Sequence, residues 1–129
     1  MDFTIDFSED EARLTVTLTG VATGEGVDSF NRTLEADPRF RTGLTWLVDL
    51  TGAVEDTAPD VVTPVRHATE VLRRDWLHPP RAIAFLVADA EAAHRAELWR
   101  AQLGGSQSRR RVFTRREDAE AWLATEAES

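Results

Sequence analysis

The sequence predicts an α/β fold. The expected form is a single-domain layered sandwich of a mostly parallel sheet and helices, with an N-terminal antiparallel β-hairpin and the order ββαβαβαβα. Three observations predict it. Two runs near the N-terminus alternate apolar and polar residues. Two later runs, TWLVDL (45–50) and AIAFLVA (82–88), are almost continuously apolar. Segments with helical spacing lie between and after them. Alternation marks a strand with one face on the core, and an unbroken apolar run marks a strand covered on both faces. Strands that alternate with helices pair in parallel through crossovers.

Each element has its own signal. FTIDF (3–7) and RLTVTLTG (13–20) flank the polar turn SEDEA and form the hairpin. In TGEGVDSFNRTLEADPRF, Val27, Phe30 and Leu34 make one helical stripe, which Asp37-Pro38 ends. The segment VVTPVRHATEVLRRDWL repeats the pattern with Val61, Val65, Ala68 and Leu72. Its start is expected at Asp60, or at Thr63 with Pro64 in the first helical position. DAEAAHRAELWRAQLGG has Asp89 as its N-cap and Gly104-Gly105 as its stop. RRVF is a short edge strand. TRREDAEAWLATE opens on a capping box, Thr114 and Glu117, and turns Ala119, Trp122 and Leu123 to one face. The 129 residues make one domain, with fraying expected after about Glu126.

Composition excludes several chemistries. The chain has no cysteine, so disulfides, cysteine metal sites and cysteine nucleophiles are absent. All of its basic residues are arginine, which removes lysine chemistry. The net charge of -8 opposes nucleic-acid binding. His67, His78 and His94 show no metal-ligand spacing, and no nucleophile elbow is present. No metal, cofactor or catalytic set is expected. The N-terminus lacks a signal peptide's basic and apolar regions, and no apolar run approaches the roughly 20 residues of a membrane helix. The expectation is a cytoplasmic protein without an integral membrane segment.

The segments L-T-V-T-L-T-G (14–20), D-P-R-F (37–40), L-V-D-L-T-G-A (47–53) and R-V-F-T-R-R-E-D-A-E-A-W-L (111–123) together resemble the SpoIIAA-like group of bacterial STAS/SEC14-type domains. The resemblance covers most of the chain in element order. It implies a small α/β domain. It also implies either an anti-sigma factor antagonist, switched by phosphorylation at the start of the helix after the central strand, or a SEC14-like binder of an apolar ligand. Val48, Asp49, Leu50 and Thr51 match the end of the antagonist motif's strand. Asp56-Thr57 falls at the motif's Asp-Ser pair if one residue is deleted. Ala58 and Pro59 replace the second Ser and the Gly of the docking surface.

Five residues are singled out. Thr57 is either a phosphate acceptor or a turn residue. Asp49 is either a strand-end acid bonded to turn amides or a functional acid, with His67 as its partner in a small hydrolase or isomerase. Asp89 also sits at a strand end, where ligands of open α/β sheets bind. Trp76 and Leu77 either cover the end of the sheet or form the rim of a pocket or dimer contact. Trp99 and Trp122 are expected in the core. The cluster Arg109, Arg110, Arg111, Arg115 and Arg116 either binds an anionic partner or a phosphate, or guards the edge strand and pairs with surface acids. The favoured function is a non-enzymatic regulatory or carrier module that binds a protein partner or a small apolar ligand, with a possible homodimer. The expected pocket lies between the second and third helices and the strand ends near Asp49 and Asp89.

Overall fold

The computed structural model describes residues 1–55, 62–101 and 109–128, and among these the side chains of 55, 62–69 and 99 lie outside the description. β1 (Asp2–Phe7) and β2 (Arg13–Ala22) pair antiparallel, with Phe3 opposite Leu18 and Phe7 opposite Leu14. Their turn is tied by short polar side chains. Ser8 Oγ accepts from the Arg13 amide at 3.0 Å and donates to Asp10 Oδ1 at 2.6 Å. The chain continues as α1 (Gly24–Ala36), β3 (Thr45–Glu55), α2 (Val62–Leu77), β4 (Ala82–Leu86), α3 (Ala90–Ala101), β5 (Arg109–Phe113) and α4 (Arg116–Ala127). The order is the one the sequence predicts.

The sheet runs β1-β2-β3-β4-β5, antiparallel only at the first pair. Each parallel strand therefore joins the outer edge of its predecessor. Right-handed crossovers that step in one direction leave every connecting helix on the same face. The packing follows that rule. Phe30 and Leu34 of α1 cluster with Leu14, Val16, Trp46, Val48 and Ile83 of the strands. α4 follows the last strand and covers the other face, where Ala119 and Leu123 meet Leu47, Ala82, Ala84 and Leu86. A fully buried leucine contributes roughly 1.5–3 kcal/mol, so Leu14, Leu34, Leu47 and Leu123 anchor both layers.

Several local expectations change. β3 runs five residues past the predicted Leu50, because a bulge between Thr17 and Thr19 of β2 lets Gly52 to Glu55 continue the ladder. α1 tolerates its early glycines for a packing reason. A Cβ on Gly26 would come within 2.9 Å of Met1 Cβ, and the Gly26 amide donates to the N-cap Thr23 Oγ1 at 3.1 Å. α2 starts at Val62, between the two expected starts, which puts Pro64 in the first turn, where amides have no intrahelical acceptor. The predicted capping box of α4 does not form. The helix begins at Arg116, so Arg115 is the N-cap without a side-chain capping bond, and Thr114 lies one residue too early. α4 holds through Ala127, and Glu126 is buried against Arg109 at 2.8 Å. Thr57 and Gly104-Gly105 lie outside the described residues. Among those described, no helix is long and apolar enough to cross a membrane.

Candidate functional site

Three helices on one face do not fill it. Among the described side chains, α1 brings Val27 and Phe30, α2 brings Val71 and Arg74, and α3 brings Arg95 and the short Ala92 and Ala96. The strands beneath present Val16, Leu18, Val48, Leu50, Ile83 and Phe85. The mismatch leaves an open cavity of about 540 Å³. This is within the range of about 300–1,000 Å³ for small-molecule sites. It explains why Leu18, Leu50 and Phe85 stay half-buried although they face the helix layer.

The cavity wall is largely apolar, with Asp89 and Arg95 on the α3 side and a buried polar group at the end of α2. Arg74 and Asp75 are consecutive and both buried. Asp75 Oδ2 accepts from Arg110 of β5 at 2.6 Å, with both side chains almost fully enclosed. Arg110 reaches this face because the period of a strand separates it from Arg109 and Arg111. Arg74 NH1 donates to Asn31 Oδ1 of α1 at 2.6 Å, and its guanidinium lies 5.0 Å from the centre of the Trp46 ring. Burial pulls the Arg74 guanidinium down to about 10, against the field of Asp75 and with that of Arg110. It remains a cation at neutral pH.

The structure separates the four singled-out residues that it describes. Asp89 lies at the cavity edge, and its Oδ1 accepts the Ala92 amide at 2.8 Å as the N-cap of α3. Asp49 points to the opposite face, since it alternates with Val48 and Leu50 along β3. Its Oδ1 accepts from the amide and hydroxyl of Thr51 at 2.9 and 2.7 Å, and its Oδ2 lies 3.4 Å from Arg116 of α4. The side chain of His67, the expected partner of Asp49, lies outside the described residues. Trp76 and Leu77 are 86% and 54% exposed and do not line the cavity. The cavity lies against the sheet face and reaches the strand ends at Ala22, Val54 and Asp89. The crevice rule for open sheets acts where strand order reverses, and the parallel strands here never reverse.

The other candidates have structural partners. Trp122 packs at 5.7 Å from Phe113, and the Arg111 guanidinium lies over both rings. Arg109, Arg115 and Arg116 pair with Glu126, Glu117 and Glu120. His78 stacks edge-on with Phe40 at 5.2 Å, and His94 is exposed on α3. Among the described residues, no group of three acids and histidines is placed to hold a metal. Sequence reasoning missed Arg74, Asp75 and Asn31, and it placed Arg110 only within the basic cluster of the last strand. A signal for Asp75 was present: it falls three residues after Leu72, on the apolar stripe of α2.

No family model matches the sequence, and no curated protein matches it significantly. Among solved structures, the chain is similar to an uncharacterized protein from the DUF3478 family with a SpoIIAA-like fold, from Shewanella loihica PV-4. The identity is 18%, the TM-score is 0.65, and the match covers 95% of this chain and 92% of that one. With the mixed five-stranded sheet, the leading hairpin and the four helices already described, this places the chain in the SpoIIAA-like, STAS-type α/β fold.

Proposed function

We propose that the protein is a non-enzymatic binding module that takes a small apolar ligand against its sheet face, in a carrier or regulatory role. The observation that carries this reading is the cavity of about 540 Å³ walled by valines, leucines and phenylalanines. An apolar ligand that buries its surface there gains roughly 25 cal/mol per Å². Among the described residues, the walls supply no nucleophile paired with a base. The SpoIIAA-like fold supports a regulatory module at the level of architecture alone.

The test is titration with 1-decanol, followed by methyl NMR of Val48 and Ile83. Both residues line the cavity. Saturable shifts are expected in the wild type. Ala96→Phe fills the cavity from α3 and is expected to abolish them while the rest of the spectrum keeps its dispersion. No shift in the wild type, or an unchanged response in the filled variant, overturns the reading. A second reading, a protein contact, is favoured by one observation: Trp76 and Leu77 sit side by side and exposed in the last turn of α2.

A further inference from the structure

Arg74 is a feature of the cavity that an apolar ligand does not explain. The residue is 7% exposed and lines a largely apolar wall. Charged side chains are almost never buried without a partner, because desolvation costs several kcal/mol. Arg110, its neighbour, has the Asp75 carboxylate at 2.6 Å. Arg74 has only a neutral amide oxygen, that of Asn31, on NH1. Among the described residues no acceptor meets its Nε–NH2 edge, and Nε is fully buried without a hydrogen bond. That edge is the side of a guanidinium that grips a carboxylate through two parallel hydrogen bonds. The group lies over the Trp46 ring, 5.0 Å from its centre, and the C-terminal turn of α2 favours a cation there.

We infer that the cavity's ligand is an amphiphilic carboxylate, with its acyl chain over Val16, Val48 and Phe85 and its head group on the open edge of Arg74. The inference rests on the ligand-binding reading above and adds the head group. It explains why a cation is kept in an apolar wall where a methionine would pack. The net charge of -8 repels anions in general, so selectivity for one must come from a local site.

The test compares decanoate with 1-decanol, two probes with the same chain, at pH 7 and by the same methyl shifts. A charge-assisted hydrogen-bonded pair in a dry site is expected to make decanoate bind roughly ten- to a hundredfold more tightly. Arg74→Met is expected to erase that preference, leave decanol binding intact and hold or raise the melting temperature, since it removes a buried charge. Arg74→Lys keeps the charge without the fork and is expected to fall between. Equal affinities in the wild type overturn the head-group inference and leave the apolar-ligand reading standing. Failure of both probes overturns both. A preference that survives in Arg74→Met overturns the assignment to Arg74. If Arg74→Met does not fold, the wild-type comparison and Arg74→Lys still decide.

Discussion

Asp75 and Arg110 occupy positions that their neighbours reserve for apolar side chains. Asp75 continues the stripe of Leu72 on α2, and Arg110 shares its strand face with Val112. Each has the other as an ion-pair partner, at 2.6 Å. Asp75→Asn alone is expected to destabilise the protein by roughly 3–5 kcal/mol, because it removes a carboxylate paired with a buried guanidinium. The double change Asp75→Leu with Arg110→Met is expected to be neutral or stabilising. Urea unfolding of Asp75→Leu, Arg110→Met and the double variant closes the cycle, and additive single effects would show that the pair is not coupled. At this scale the sequence was partly legible. The stripe places Asp75 inward, and strand alternation places Asp49 on the face opposite Val48. Attention to the aromatic beside Asp75 hid the acid itself. The partner of each buried charge was not legible, because Arg110 is 35 residues away in the chain.

At the scale of elements, the boundaries moved for reasons a linear pattern does not carry. β3 lengthens because its neighbour supplies a ladder beyond the bulge, not because its own residues change character. The cavity was also invisible. Ala92 and Ala96 on α3 read equally well as tight packing or as missing volume, and only the distance between helix and sheet decides. The last turn of α2 divides sharply: Arg74 and Asp75 turn in while Trp76 and Leu77 turn out. An indole 86% exposed beside a leucine is a contact surface of the kind enriched at interfaces. A second copy of the chain is its simplest partner. Trp76→Ser is expected to shift sedimentation at high protein concentration toward monomer without lowering the melting temperature. A wild-type protein that is monomeric throughout would rule out the dimer.

For the molecule as a whole, one sheet serves two cores. Leu34 lies in the layer under α1 and Leu123 in the layer under α4, and both are fully buried. Leu34→Ala and Leu123→Ala are each expected to cost roughly 2–5 kcal/mol, read from urea midpoints. Because the strands between the layers are shared, both should shift the same single transition with an unchanged m-value. Two resolved transitions would mean that the layers unfold separately. The order of elements and the leading hairpin were legible at this scale, since alternation and unbroken apolar runs report how many faces of a strand are covered. The side of the sheet taken by each helix was not, because it depends on the sequence of strand neighbours in space.

That sequence of neighbours, each strand laid outside the last, bears on how the chain can be made. No strand has to be inserted between two that are already paired. A polypeptide leaving the ribosome can finish the hairpin, add β3 when α1 has turned back, and repeat the step twice. The growing edge always belongs to the newest strand, and α4 arrives last to cover the rear of β3 and β4. The final helix thus acts as a seal on a sheet assembled in the order of its synthesis.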